Sequence, residues 1–167
     1  TRRYCVSKVA EIFDLMGMIT PITSMMKLDL HTLVQRKLDW DDEIPDDLRM
    51  IWNSHFDMMK EINGIKFKRA IVPNDATSLD IYTIDTGDAS KSIACVAIYA
   101  RFLKSTGEYS CQLVFGRSKL IPEGMTTPRA ELLAANLNAH TGEVVKRSFQ
   151  KHHRKALKLT DSQITLH

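Results

Sequence analysis

The stretch that decides the fold is residues 79–120, LDIYTIDTGDASKSIACVAIYARFLKSTGEYSCQLVFGRSKL. Its runs of β-branched and aromatic residues predict three strands, at residues 79–84, 94–103 and 109–120. The turn residues Lys104–Gly107 separate the second run from the third, so these two strands are predicted to form a hairpin. This part of the chain is therefore predicted to be a sheet.

Beyond the hairpin, the pattern changes from strand to helix and back. Thr126–Arg129 supplies a threonine cap and a proline in the first turn, and residues 130–139 supply the body of a helix. Residues 156–160 predict one more short strand. The order is strand, strand, strand, helix, strand, with no internal repeat.

The first 62 residues predict helices instead. Apolar residues recur at helical spacing from Val6 to Phe13, Pro21 opens a second apolar-rich stretch, and Pro45 starts a third helix. The third helix has a predicted buried face of Leu48, Ile51, Trp52, His55, Phe56, Met59 and Ile62. Residues 65–72 predict a strand or a tether.

We place a domain boundary near residue 75, where Pro73-Asn74-Asp75 breaks the pattern. The sequence therefore predicts an α+β fold with a helical region over residues 1–75 and a sheet region over residues 76–167.

Composition narrows the class of protein. The chain has 44% hydrophobic and 26% charged residues, which is typical of a globular protein. No apolar run approaches the roughly 18 residues of a membrane span. The three cysteines, Cys5, Cys95 and Cys111, lack metal-ligand spacing. These features predict buried, reduced thiols, an intracellular setting and no membrane partner.

Three acidic residues fall at strand ends and helix starts, where sites commonly collect. Asp88 follows the first predicted strand, Glu131 lies in the first turns of the helix, and Asp161 ends the last strand. Carboxylates brought together from separate segments repel one another unless cations lie between them. Mg²⁺ prefers such oxygen ligands. The pattern favours a metal site, although 20 acidic residues offer many other triples.

Motifs in the first half resemble the polyprotein of BEL/Pao retrotransposons, a group whose families have also been labelled as peptidases. Residues 9–17, VAEIFDLMG, are followed by Pro21-Ile22-Thr23, as in that family. Residues 38–42, LDWDD, and Pro45-Asp46 match a second family segment.

Motifs in the second half resemble the ribonuclease H region of the same polyprotein. They are Asp88-Ala89-Ser90, Pro128-Arg129-Ala130-Glu131-Leu132 and Thr160-Asp161-Ser162. The chain departs from the family at Thr86-Gly87, before the first acid, and at Cys95, where a glycine is usual.

The resemblance implies a metal-dependent ribonuclease H-like nuclease that cuts the RNA strand of RNA–DNA hybrids. Asp88, Glu131 and Asp161 would be its catalytic residues and the ligands of two Mg²⁺ ions, with Mn²⁺ as a substitute. The helical region would be thumb-like or connection-like, after a reverse transcriptase and before an integrase, in the cytoplasm or a virus-like particle. The chain stops at His167, before the fourth acid of the family, so an incomplete sheet and an inactive fragment are part of the expectation.

A basic segment near the end of the chain predicts contacts with phosphates. Between its first and last members no acidic residue intervenes, and the cations are Lys146, Arg147, Lys151, Arg154, Lys155 and Lys158. A solvated helix face or loop is the alternative interpretation.

Two further functions compete with the nuclease. Asp85-Thr86-Gly87 is the triplet of aspartic peptidases, although the apolar-apolar-glycine partner Val114-Phe115-Gly116 follows too soon for a flap to fit between them. The other alternative is a non-catalytic module that binds nucleic acid through its basic segment.

Overall fold

A computed structural model describes residues 1–162. Its elements are, in chain order, α1 Arg2–Ala10, α2 Thr20–Gln35, α3 Asp46–Ile62, β1 Ile81–Ala89, β2 Ile93–Leu103, β3 Tyr109–Leu120, α4 Thr127–Phe149, a short 3-10 turn Gln150–His152, and β4 His153–Leu159. Helices come first, and a mixed sheet with one helix follows, so the predicted α+β class is confirmed. No helix in the described part is long and apolar enough to cross a membrane.

The chain divides into two compact units. The helical unit comprises Thr1–Leu15 and Ile19–Lys68, and the sheet unit comprises Met16–Met18 and Arg69–His167. The domain boundary near residue 75 stays a prediction, and the end of the predicted sheet region, residues 163–167, lies outside the described residues.

The helical unit is built around apolar side chains from its three helices. Trp52 is 1% exposed, and Met26 and Leu33 are fully buried. Two predictions for the helices are wrong: the first helix does not extend to Phe13, and Ile51 of the third is not buried. Phe13 is 88% exposed because α1 ends at Ala10, before the helical period reaches it. Ile51 is 41% exposed because it lies beside the buried stripe of α3.

The sheet unit has the strand order β3-β2-β1-β4. β1 pairs with β2 and β2 with β3 in antiparallel fashion, while β1 and β4 are parallel. Because parallel neighbours need a crossover connection, α4 runs between β3 and β4 and covers one face of the sheet. The core under α4 consists of Ile81, Val96, Ile98, Ala100, Phe102, Val114, Leu137 and Val145.

Several elements differ in length from their predictions. β1 extends to Ala89, so Asp88 lies inside the strand, paired with Cys95, rather than after it. α4 extends to Phe149, well beyond the predicted body. Residues 65–72 contain no strand. Burial of one strand face and one helix face against each other extends both elements past the limits of their sequence patterns. Cys111 is exposed, contrary to the predicted burial.

Candidate metal and nucleic-acid site

The parallel pairing of β1 and β4 places two of the predicted acids at one edge of the sheet. The last register pair between these strands is Thr86 with Leu159. Asp88 and Asp161 each follow two residues later on the two chains. Since parallel strands run in the same direction, both acids lie at the carboxyl ends of neighbouring strands.

The helix α4 brings the third acid to the same edge. A Cβ atom added to Gly87 would meet the carbonyl oxygen of Ala134 at 3.2 Å, so the helix runs very close to β1. Ala89 follows Gly87 by two residues on β1 and packs against a cluster that contains Ala130 and Ala134. Glu131 follows Ala130 in the first turns of α4. The helix therefore starts at the edge where β1 ends.

A hydrogen bond ties the segment after β4 to α4. The hydroxyl of Ser162 donates to Oε2 of Glu131 at 2.5 Å, and Ser162 is 6% exposed. The amide of Ser162 also donates to Oγ1 of Thr160 at 3.1 Å. Sequence reasoning assigned no contact to Ser162, although the triplet Thr160-Asp161-Ser162 was the available signal. Ser162 therefore holds Glu131, one predicted ligand, next to the segment that contains Asp161, another predicted ligand.

The three carboxylates share an edge but do not form a preassembled cluster. Asp88 is exposed, and its Oδ1 accepts a 2.6 Å hydrogen bond from the amide of Ala89. Asp161 is also exposed. Within residues 1–162, no group of three His, Cys, Asp or Glu side chains stands close enough together to hold a metal ion. The donor set itself, three carboxylates at one edge, has the oxygen chemistry that Mg²⁺ prefers.

The triplet of the peptidase alternative has a structural contact at every position. Asp85 is 1% exposed and lies on the face of β1 that α4 covers. Thr86 donates its hydroxyl proton to the carbonyl of Ala97 at 3.0 Å. Gly87 permits the close approach of α4. A peptidase aspartate must face its substrate, so these contacts favour a structural role for the triplet.

Acids from outside the basic segment neutralise part of its charge. Lys146 and Arg147 contact Glu143 one helical turn earlier on α4, at 3.5 and 3.2 Å. The hydrogen bond from Arg147 lowers the pKa of the Glu143 carboxyl. Arg154 contacts Asp80 at 2.7 Å. These three cations are held on the surface by exposed ion pairs.

The other three cations differ in their surroundings. The ammonium of Lys158 lies 3.9 Å from the buried carboxylate of Asp85. Lys151 and Lys155 are exposed and form no ion pair with residues 1–162. The contact of all six cations with nucleic acid stays a prediction.

A family model described as a Pao retrotransposon-like RNaseH-like domain matches residues 1–162. The chain belongs to this family. The resemblance to BEL/Pao retrotransposons is thereby confirmed, and the mixed sheet of this Pao domain, with its parallel β1 and β4, is consistent with a ribonuclease H-like fold. No curated protein sequence matches the chain.

Proposed function

We propose that this Pao domain supplies Asp88, Glu131 and Asp161 to a two-metal nuclease site that cuts the RNA strand of an RNA–DNA hybrid. The observation that supports the proposal is the convergence of β1, β4 and the start of α4 at one edge of the sheet. Its family is ribonuclease H-like, which favours a nuclease over the peptidase alternative.

Each acid has a distinct part in the proposed site. Asp88 lies inside β1 and is placed by the antiparallel pairing of this strand with β2, in which Cys95 is its partner. Glu131 is oriented by the hydroxyl of Ser162. Asp161 lies just beyond β4 and would supply the third metal ligand from that strand. Two bound Mg²⁺ ions would activate a water and stabilise the leaving oxygen of the phosphodiester.

In the proposed function, the carboxylates and the cations contact different parts of the substrate. The acids bind metal and hence the scissile phosphate, whereas Lys151 and Lys155 are free to contact phosphates elsewhere on the hybrid. The proposal places the domain within a longer polyprotein, between a reverse transcriptase and an integrase, in the cytoplasm or a virus-like particle.

The test is hydrolysis of a labelled RNA–DNA hybrid by the chain, alone and within the polyprotein of its parent element, with Mg²⁺ and with Mn²⁺. We expect cleavage of the RNA strand that falls at least about a hundredfold in Asp88→Asn, since the substitution removes a charged ligand of the metal ions that would stabilise the transition state. Glu131→Gln and Asp161→Asn should behave alike.

Glu61→Gln is the matched control, because Glu61 is an exposed carboxylate of α3 that belongs neither to the proposed metal site nor to the basic segment. Its cleavage rate should equal that of the wild type. Hybrid binding without cleavage, in both forms of the protein and with either metal, would contradict the proposal and support the non-catalytic binding module.

A further inference from the structure

We propose that the ion pair between Asp85 and Lys158 sets the register of β1 against β4 and so aligns Asp88 with Asp161. This inference rests on the proposed function of that edge. Asp85 and Lys158 are register partners in the parallel ladder. Each of the two acids follows its member of the pair by three residues. Any shift of the pair would therefore shift the two proposed metal ligands against each other.

The carboxylate of Asp85 requires a cation. It is 1% exposed, and its Oδ1 has no hydrogen-bond partner within residues 1–162. A buried charge left alone is strongly unfavourable, whereas a nearby opposite charge offsets part of the cost. The ammonium of Lys158, 3.9 Å from Oδ2, is that charge, and its side chain is 54% exposed. The pair thus joins a buried acid to a cation that keeps contact with water.

His153 is the other basic side chain of β4 near this carboxylate. Burial lowers the pKa of its imidazole, and the charge of Asp85 raises it by less. The imidazole is therefore neutral at neutral pH, where its Nε2 lies 3.3 Å from Oγ1 of Thr83. Lys158 is left as the counter-ion of Asp85.

The helix α4 leaves room for the pair at a glycine. A Cβ atom added to Gly142 would lie 2.5 Å from Oδ2 of Asp85 and 3.4 Å from Nζ of Lys158. One turn earlier on α4, the side-chain amide of Asn138 donates to the backbone carbonyl of Asp85 at 3.2 Å. The buried carboxylate thus occupies a slot that these two α4 residues define.

The charge pair distinguishes registers that the apolar pattern of β4 does not. A slip by one residue would turn every side chain to the opposite face, which burial forbids. A slip by two residues keeps the faces and exchanges Leu157 for Leu159 on the outer side. That slip would place Lys158 opposite Thr83 or Gly87, leaving Asp85 without its cation. The pair therefore favours one register over its neighbours.

The test compares the 167-residue wild type with the double variant Asp85→Val/Lys158→Met. Inter-strand NMR contacts of Ile84 report the register, because Leu157 is its native partner. We expect the double variant to be at least as thermally stable, since no charge is buried. It should show contacts of Ile84 with Lys155 or Leu159 beside the native ones, and calorimetry should show Mg²⁺ binding at least about tenfold weaker.

Lys155→Met is the matched control, because Lys155 lies on the same strand, has no ion pair within residues 1–162 and pairs with Tyr82 in the ladder. It should keep the single register, and so should Lys158→Arg, which preserves the charge. A double variant with native contacts alone and wild-type Mg²⁺ affinity would overturn the proposal.

If the double variant does not fold, the register of the Asp85→Asn variant tests the inference instead, since this substitution removes the charge of the Asp85 side chain and keeps its shape. Mixed registers would support the inference, and a single native register would overturn it. The register is measured without metal, so a wild type that fails to bind Mg²⁺ counts against the proposed function and leaves the register result valid.

Discussion

The two units of this protein each contain an acid–base pair with one buried member, and the buried member differs between them. In the helical unit, His55 of α3 lies 2.5 Å from Asp29 of α2, with side-chain exposures of 5% and 26%. In the sheet unit, Asp85 is 1% exposed and its partner Lys158 is 54% exposed. The more buried member is the base in the first pair and the acid in the second.

This difference indicates which of the two pairs is more sensitive to substitutions around it. A histidine can be neutral when buried, and its ring can still donate one hydrogen bond to the acid. Asp29 keeps partial contact with water, so neither partner depends fully on the other. Asp85 is 1% exposed, and one oxygen of its carboxylate has no hydrogen-bond partner within the described chain. The sheet pair should therefore respond more strongly to any change around it.

The largest expected effect is that of Gly142→Ala. The added Cβ would lie 2.5 Å from Oδ2 of Asp85, so the carboxylate or the helix must move. We expect the free energy of unfolding to fall by about 3 kcal/mol, as in overpacked cores. Urea unfolding measures it.

Gly64→Ala is the control for that substitution, because its added Cβ would meet only a backbone oxygen at 3.5 Å. Its free energy of unfolding should stay within about 0.5 kcal/mol of the wild type. Equal values for the two variants would show that the slot beside Asp85 is not tightly filled.

A smaller effect is expected from Asp29→Ala in the helical unit. The substitution removes the hydrogen-bond partner of the His55 ring, so we expect a loss of about 1 kcal/mol in urea unfolding, which is typical of one hydrogen bond. Asp57→Ala is the control, because its ion pair with Lys60 is exposed on both sides. That control should change the free energy by less than about 0.5 kcal/mol. A loss as large as that of Gly142→Ala would contradict the ranking of the two pairs.

The smallest effect is a pH dependence at the edge of the sheet pair. Burial lowers the pKa of His153 below its usual value of 6.5, so below that pH the unfolded chain binds more protons than the folded one. Stability should therefore decrease as the pH falls below about 6.5. His153→Gln should reduce this dependence in thermal unfolding and leave the profile above pH 7.5 unchanged. An unaltered profile below pH 6.5 would contradict the assignment.

Local sequence pattern was sufficient for much of the fold. The third strand was predicted at the residues where it occurs, since alternation and a turn define it without help from other elements. The start of α4 was also predicted, from its threonine cap and first-turn proline. The ends of β1 and α4 were not, because these elements extend where they bury each other. The predictions that the first helix reaches Phe13 and that Ile51 is buried were wrong for a related reason. Helical spacing does not show where a helix ends or how wide its buried stripe is.

The features of the candidate site also fall into those that the sequence determined and those that the tertiary structure decided. The sequence by itself determined the α+β order of elements, the family motifs and the identity of three acids that fall at element ends. Only the tertiary structure decided that Asp85 is buried under α4, that Ser162 holds Glu131, and that distant acids pair with Arg154 and Lys158 of the basic segment. The physical reason is that local pattern depends on neighbours within a few residues. A buried charge depends instead on partners such as Lys158, which only the pairing of distant strands brings near.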